Sequence, residues 1–366
     1  MRVVAFAPYP ERGPSTWFRL AQFRTALEQR GVDLQLEPFL TDSDYLDLYG
    51  GASEPARVGL LLRAWRRRWH RIGLLRSDEV VVVQRELAPL GGHLLLRRLR
   101  PRPGGLVYDF DDALYLSGPG RHRLAALLRR PGRATDDLCR TADQVFAGNA
   151  TLAEHAREAR GSGEGVRVVP TVVDAGRYRP APKPPSDGRA VVGWVGSHTA
   201  LPYLEGLYSH LAAVASEHPF RFRVVCNRPP ATPPAPLELE FEQWTPERRV
   251  ACVQELDIGL YPVTDDAWSR GKCGLKAIEY MACGLPVVCS PVGVLKEMVQ
   301  DGVSGVHARD GVEWRQALLT LLRDPERQRS LGRAGRSRVE THYSIEAVID
   351  DWVENLQALR AGRRRG

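Results

Sequence analysis

Positive charges and a glycine precede a predicted helix that begins near residue 274. Arg270, Lys272 and Lys276 carry the charges, and apolar residues recur at helical spacing from Leu275 onward. The N-terminus of a helix presents unpaired backbone N–H groups and a partial positive charge, so it attracts phosphate. Gly274 lets a ligand approach the backbone closely. The pattern predicts a phosphate site, and the alternative is a loop and helix whose lysines are solvated.

Glu279 lies further along the same predicted helix, and its carboxylate can accept hydrogen bonds from a ribose. This extends the predicted phosphate site to a nucleoside diphosphate site. Gly271, Cys273 and Leu275 adjoin the charged residues and complete the segment that is predicted to bind the nucleotide. The alternative for Glu279 is again a solvated surface residue.

A second glycine turn lies near residue 196. Residues 190–199 show a strand, a glycine turn and the start of a helix, which is the shape that holds a diphosphate. Gly196, Ser197 and His198 form the turn, and Asn227 follows the next predicted strand at its ligand end. These four residues are predicted to bind the same nucleotide. The alternative for His198 is a turn residue that contacts no ligand.

Three carboxylates, Asp109, Asp111 and Asp112, lie at the end of a predicted strand. Acids this close repel one another unless a cation, hydrogen-bond donors or solvent surround them. Three interpretations remain: a D-x-D metal site, polar contacts to acceptor or sugar hydroxyls, and helix capping by Asp111 or Asp112. We favour the hydroxyl contacts, because the nucleotide signature lies far downstream. Asp109 and Asp111 are therefore predicted to act in catalysis without a metal.

Other polar residues follow predicted strands in the first half of the chain. Ser15 and Thr16 follow the first strand, and Arg85 and Glu86 follow the buried strand VVVV. The carboxyl ends of parallel strands form the ligand edge of such sheets. Arg19 lies one helical turn beyond Thr16, with a solvated helix residue as the alternative. The predicted ligand-edge residues in this half of the chain are Ser15, Thr16, Arg19, Arg85, Glu86 and Asp112.

Two parallel sheets must position these residues. Strand, helix and strand patterns recur along both halves, and 366 residues suffice for two domains of ordinary size. The predicted fold class is α/β, with two doubly wound, Rossmann-like domains and a cleft between them. The predicted first domain covers residues 1–180, and the predicted second domain, which carries the nucleoside diphosphate site, covers 181–344.

The segment YMACGLPVV, Tyr280–Val288, resembles the donor-binding signature of the retaining glycosyltransferases of family 4, which have the GT-B fold. The turn DGVSGV at 301–306 is similar to another element of that family. The combination of S-T-x-x-R-L, Q-R-E-L and Y-D-F-D-D-A-L also resembles a recurrent subgroup within it. The resemblance covers most of the chain and is strongest over residues 270–306.

The resemblance implies transfer of a sugar from a nucleoside diphosphate donor to an acceptor hydroxyl, with retention of anomeric configuration. It also implies that residues 1–180 form the acceptor-side domain, with the six ligand-edge residues named above on the acceptor side, and that 181–344 form the nucleotide-sugar-binding domain. Glu279 falls on the position that contacts the ribose, whereas Gly271 stands where the family usually has a glutamate that touches the donor sugar. The turn at 196 lacks the usual Arg and Lys, so Arg270, Lys272 and Lys276 are expected to stabilise the leaving diphosphate. No metal, cofactor or side-chain nucleophile is implied. The fold also implies that residues 345–366 form a helix crossing back to the first domain, followed by a basic tail.

The expected partners are a nucleotide sugar and a sugar, lipid-linked or small-molecule acceptor. The expected context is cell-envelope polysaccharide, glycolipid or secondary-metabolite glycosylation. Two other functions remain open. A nucleotide-sugar epimerase of the same fold would release nucleotide without an acceptor, and a membrane-associated binding protein would not turn over.

The formal net charge of +7 falls on residues 1–180, since the remaining residues are balanced. Residues 58–76 form a predicted basic amphipathic helix that either packs on the core or lies in an anionic lipid surface. The basic stretches 94–102 and 121–133 favour the lipid. Nucleic acid is disfavoured because no recognised motif accompanies the charge. The predicted apolar face of the helix consists of Leu61, Leu62, Trp65, Trp69 and Ile72.

Three further features bear on the environment of the protein. No apolar run reaches the roughly 18 residues that span a membrane, and the first ten residues are unlike a secretory signal. The six cysteines form no C-x-x-C pair, which disfavours a structural zinc site. These features predict a cytoplasmic protein, with peripheral binding to the inner face of the membrane as an option.

Overall fold

The chain folds into two α/β units, each built around a six-stranded parallel sheet. The computed structural model describes residues 1–49, 53–101, 104–116, 131–183 and 188–362. The first unit contains Met1–Thr171 together with the residues from Val348 onward, and the second contains Val172–Ala347. The predicted fold class, two doubly wound α/β domains, is confirmed.

The first sheet has the strand order β2-β1-β3-β4-β5-β6, and all neighbouring strands are parallel. The order reverses between β1 and β3, and such a reversal marks the ligand-binding point at the carboxyl edge of a parallel sheet. The strands are β1 Arg2–Ala7, β2 Asp33–Pro38, β3 Val80–Gln84, β4 Gly105–Phe110, β5 Gln144–Ala147 and β6 Val166–Val168. The helices are α1 Pro14–Arg19, α2 Arg24–Glu28, α3 Asp42–Tyr49, α4 Glu54–Gly73, α5 Gly92–Leu99, α6 Pro131–Thr141 and α7 Ala150–Arg160.

The second sheet has the order β12-β11-β10-β7-β8-β9, again with parallel neighbours. Here the order reverses between β7 and β10. The strands are β7 Val191–Gly196, β8 Arg221–Cys226, β9 Leu239–Gln243, β10 Ile258–Tyr261, β11 Val287–Cys289 and β12 Val306–His307. The helices are α8 Leu201–Glu205, α9 Tyr208–Glu217, α10 Ala251–Gln254, α11 Ala267–Arg270, α12 Leu275–Ala282, α13 Leu295–Met298, α14 Gly311–Arg323, α15 Pro325–His342 and α16 Ile345–Gly362.

Helix α16 completes the core of the first unit. Its Trp352 stacks on Phe23 with ring centroids 5.7 Å apart and also contacts Phe146. The structure divides the chain at Thr171, whereas the sequence placed the boundary at residue 180. The difference arises because residues 172–180 pack within the second unit, where Tyr178 contacts Glu279.

Helix α4 is the predicted basic amphipathic helix, but its buried stripe differs from the predicted apolar face. The helix buries Leu60, Ala64, Arg68 and Ile72, while Leu62 is 59% exposed. Arg68 donates hydrogen bonds to three backbone carbonyls at the edge of the sheet and lies 4.6 Å from the centroid of the Phe6 ring. Its burial lowers its pKa to about 9. Arg68 is therefore a core residue of the first unit.

Within the part of the chain that the structure describes, no helix combines the length and apolar character needed to cross a bilayer. Most of the predicted basic stretch 121–133 lies outside the described residues, as do residue 102 of the stretch 94–102 and residues 363–366 of the basic tail.

Candidate functional site

Helix α12 begins where the sequence predicts it, directly after Gly274. Gly274 has a φ of 72°, in the left-handed region, and a Cβ atom there would lie 2.6 Å from Cε of Met298. Glycine accepts this conformation and this close approach without strain. Among the described residues, no side chain caps the N-terminus of α12. The first turn of α12 therefore has the geometry of an anion site.

Lys276, in this first turn, places its ammonium between two aromatic rings. The Nζ atom lies 5.2 Å from the centroid of Trp194 on β7 and 4.8 Å from the centroid of Tyr261 on β10. These two strands flank the point where the strand order reverses. A Cβ at Gly196 would lie 2.8 Å from Cε of Lys276 and would overlap the Trp194 ring. Gly196 is thus required by the packing that holds Lys276 at the switch point.

The other two predicted cations lie on the loop that precedes α12. Nζ of Lys272 lies 5.7 Å from the centroid of Trp268. Arg270 is exposed, and its Nε donates to Oδ1 of Asp265 at 2.7 Å, a hydrogen bond that raises the pKa of Arg270. The charge of Arg270 is consequently offset by a carboxylate.

Three more predicted donor-binding residues lie in the segment around these cations. Gly271 and Cys273 are buried, and Leu275 is half-buried as the first residue of α12. These three residues therefore pack within the second unit, and any contact they make with a ligand would come chiefly from their backbone atoms.

The turn after β7 meets the end of β8. The backbone N–H of His198 donates to Oδ1 of Asn227 at 2.8 Å, and the His198 ring also contacts the Asn227 amide. Ser197 Oγ lies 2.8 Å from Oγ1 of Thr199. The structure thus brings together Ser197, His198 and Asn227 at the carboxyl edge of two neighbouring strands, beside Gly196 and Lys276.

Glu279 is buried, with 7% of its surface exposed, and the hydroxyl of Tyr178 donates to its Oε1 at 2.8 Å. Burial raises the pKa of Glu279 to about 7, although Tyr178, Arg249 and Lys276 each lower it. Sequence reasoning missed Tyr178, Trp194 and Tyr261. No local pattern marks them, because their contacts depend on the fold: the partner of Tyr178 is 101 positions away.

In the first unit, Arg19 and Asp109 form a buried ion pair. Nε of Arg19 donates to Oδ2 of Asp109 at 3.1 Å, and a second nitrogen contacts Oδ1. Arg19 also donates to the carbonyl of Val169 at 2.9 Å. Asp109 has no exposed surface, so its carboxylate is occupied inside the protein. This geometry favours a structural role for both residues over contact with an acceptor.

Asp111 and Asp112 converge instead on Arg85. The guanidinium lies 3.1 Å from Asp111 and 3.3 Å from Asp112. Burial would lower the pKa of Arg85, but the two carboxylates raise it. Arg85 has a φ of 63°, which is uncommon for a residue other than glycine, and its carbonyl accepts a hydrogen bond from Tyr108. The repulsion among the three acids is therefore relieved by two internal arginines.

The remaining predicted acceptor-side residues, Ser15, Thr16 and Glu86, differ in environment. Thr16 is buried and donates to the carbonyl of Tyr9 at 2.9 Å. The Oγ of Ser15 is buried without a hydrogen-bond partner among the described residues, and Glu86 is half-buried. No group of three or more His, Cys, Asp or Glu side chains in the described ranges has the arrangement of a metal site.

Residues 189–324 match the family model described as Glycosyl transferases group 1. The chain is 29% identical to the D-inositol 3-phosphate glycosyltransferase of Nocardia farcinica over an alignment of 380 positions. The alignment covers 88% of this chain and 80% of the relative. Other curated relatives align over short segments, and the chain covers only 20% and 23% of the length of two of them.

Two solved structures share the fold across almost the whole chain. Sucrose-phosphate synthase from Thermosynechococcus elongatus has a TM-score of 0.69 at 17% identity, with 99% of each chain covered. Anabaena HepE in complex with UDP-glucose has a TM-score of 0.64 at 15% identity, covering 98% of this chain and 100% of that one. These structures show the two-domain GT-B fold. The family match and the curated relatives support a glycosyltransferase function.

Proposed function

We propose that this chain transfers a sugar from a nucleoside diphosphate donor to an acceptor hydroxyl, with the diphosphate held by the N-terminus of α12. One observation carries the proposal. Lys276 places its ammonium between Trp194 and Tyr261 at the switch point of the second sheet, one residue into a helix that no described side chain caps. A cation beside helix N–H groups at such an edge is suited to an anionic phosphate.

In the proposed reaction, the acceptor oxygen forms a bond to the anomeric carbon as the bond from that carbon to the diphosphate breaks. The acceptor hydroxyl loses its proton to a phosphate oxygen or to solvent. Negative charge accumulates on the departing diphosphate, where Lys276, Lys272 and the N–H groups of α12 stabilise it. Retention is proposed because the segment 280–288 resembles retaining enzymes, and the scheme uses no metal.

We place the acceptor at the carboxyl edge of the first sheet. Support comes from Arg85, Asp111 and Asp112, which form a polar cluster at the ends of β3 and β4, and from the Oγ of Ser15. Hydroxyl-rich acceptors suit such a mixed cluster, because a carboxylate accepts hydrogen bonds from hydroxyls and a guanidinium donates them.

We also propose that the exposed face of α4 contacts an anionic membrane. Leu62 and Trp69 are exposed there, and Arg63 and Arg66 are exposed on the same helix. Aromatic and apolar side chains beside arginines suit the headgroup region of anionic lipid. In a sedimentation assay, vesicles of phosphatidylglycerol should bind the wild-type protein. A variant with Arg63→Ser and Arg66→Ser should stay in the supernatant. Equal retention would remove the lipid proposal.

The transferase proposal is tested with UDP-, GDP- and ADP-sugars and a panel of hydroxyl acceptors. Release of nucleoside diphosphate that requires an acceptor supports transfer. Release without an acceptor would indicate an epimerase, and binding without release would indicate a binding protein. Proton NMR of the first product reports the anomeric configuration. Turnover should persist in EDTA, and its loss would reopen a metal role for the carboxylates.

A further inference from the structure

A buried hydroxyl–carboxyl contact in the second unit has no part in the transfer step proposed above. Tyr178 is 2% exposed and Glu279 is 7% exposed, and the phenolic O–H of Tyr178 donates to Oε1 of Glu279 at 2.8 Å. Tyr178 lies in the segment that precedes β7, whereas Glu279 lies on α12. The hydrogen bond therefore fixes the carboxyl group from a second part of the unit.

The surroundings of Glu279 make this donor important. The titratable and charged groups facing the carboxyl are Tyr178 from the preceding segment, Arg249 and Cys252 beside or on α10, and Lys276, Tyr280 and Cys283 on or next to α12. Burial disfavours the ionised carboxyl, and the Tyr178 hydrogen bond lowers the pKa of Glu279 against that effect. Removal of this donor would favour the protonated form.

Glu279 also lies one helical turn from the proposed phosphate position. Lys276 and Glu279 are three residues apart on α12, so their side chains lie on neighbouring positions of the helix surface. One turn spans about 5 Å, which is comparable to the span between the hydroxyls of a ribose and its diphosphate. A nucleotide whose diphosphate contacts Lys276 can therefore direct its ribose toward Glu279.

We propose that Tyr178 is a positioning residue that holds the Glu279 carboxylate in the orientation that accepts a ribose hydroxyl of the donor nucleotide. The proposal rests on the proposed function, because it takes the nucleoside diphosphate site at α12 as given. It assigns Tyr178 an effect on nucleotide recognition and none on the transfer step. The effect is expected in the binding constant, with little change in kcat.

The experiment compares binding of UDP, GDP and ADP with that of their 2′-deoxy and 3′-deoxy analogues by isothermal titration calorimetry at pH 7. Wild type should bind at least one ribonucleotide about tenfold more tightly than a deoxy analogue. Tyr178→Phe should lose most of this preference. The matched control is Tyr208→Phe, because Tyr208 is also buried in the second unit but its hydroxyl has no hydrogen-bond partner among the described residues.

A pH series separates positioning from a change in protonation. In Tyr178→Phe, the ribose preference should stay low as the pH rises from 7 to 9, because the ionised carboxyl still lacks the donor that orients it. Glu279→Gln should lose the preference at every pH while it keeps an acceptor for Tyr178. An unchanged preference in Tyr178→Phe, or a preference that recovers at pH 9, would overturn the positioning role of Tyr178. Failure of wild type to bind any of the three nucleotides would instead refute the proposed function.

Discussion

The two units place cations at the carboxyl edges of their sheets in different ways. In the first unit, Arg19 is paired with Asp109 inside the protein, and Arg85 lies between Asp111 and Asp112. In the second unit, Lys276 lies against the faces of Trp194 and Tyr261. An arginine within carboxylates has its charge offset by the protein, whereas an aromatic face attracts a cation without cancelling its formal charge.

We propose that the comparison separates arginines whose charge the protein offsets internally from a lysine that binds an anionic ligand. The arginines of the first unit connect strand ends and loops, and the carboxylates around them leave no net positive charge for an anionic ligand. The lysine of the second unit retains a positive charge beside the N-terminus of α12, where phosphate is favoured. The predictions below test this difference, from the largest expected effect to the smallest.

Asp109→Asn should produce the largest loss of stability. The substitution leaves the Arg19 guanidinium buried without its carboxylate, and breaking a buried pair costs about 3–5 kcal/mol. Urea denaturation of the wild type and the variant measures the loss in the free energy of unfolding. The control is Asp78→Asn, since Asp78 pairs with Arg76 at the surface. Equal losses in the two variants would contradict the internal role of Asp109.

The pKa of Glu279 predicts a pH-dependent stability. Its value of about 7 in the folded protein lies above the ordinary value of 4.5, so the folded state holds this proton to a higher pH. The stability linked to the protonated carboxyl is present below about pH 4.5 and is lost as the pH rises through about 7, by roughly 3 kcal/mol. The difference in unfolding free energy between wild type and Glu279→Gln, measured from pH 4.5 to 8, isolates this group. Parallel pH profiles would refute the shift.

Lys276→Ala should reduce turnover by about two orders of magnitude, because it removes a positive charge from the position where the leaving diphosphate gains charge. Initial rates of acceptor-dependent nucleotide release measure the effect. Lys183→Ala is the matched control, since Lys183 contacts Asp257 just before β10, at the opposite edge of the same sheet. A near-wild-type rate for Lys276→Ala would remove this lysine from the site.

Arg270→Ala should have the smallest effect, with a change in turnover below about threefold. Arg270 is exposed and already pairs with Asp265. Charges at such exposed pairs have small interaction energies because solvent screens them, so the charge of Arg270 should act only weakly on the diphosphate. The same rate assay measures it. A loss as large as that for Lys276→Ala would show that the offset charge of Arg270 still acts on the diphosphate, and the contrast between paired and aromatic-bound cations would then fail.

Local sequence patterns predicted the parts of the fold that depend on neighbouring residues. The buried strand VVVV became β3, with all five residues of the strand Val80–Gln84 buried, because helices cover both faces of a parallel sheet. The glycine at 274 preceded α12 as expected, since its left-handed φ is costly for other residues. Such features need only local sequence and the periodicity of apolar residues.

Features that depend on distant partners were not predictable in the same way. Arg68 is absent from the predicted apolar face of α4, yet it is buried, because it donates to three carbonyls from other segments. The pairing of Asp109 with Arg19 joins residues 90 positions apart. Sequence spacing alone could not show this pair, so Asp109 was predicted to contact a ligand. The position of Glu279 on α12 was predictable, while the Tyr178 contact required the fold.

A crystal structure with a bound nucleoside diphosphate tests the central claim most directly. We expect the diphosphate to contact Nζ of Lys276 and the backbone N–H groups that follow Gly274. A diphosphate bound elsewhere in the chain, with the first turn of α12 closed by protein atoms, would contradict the account.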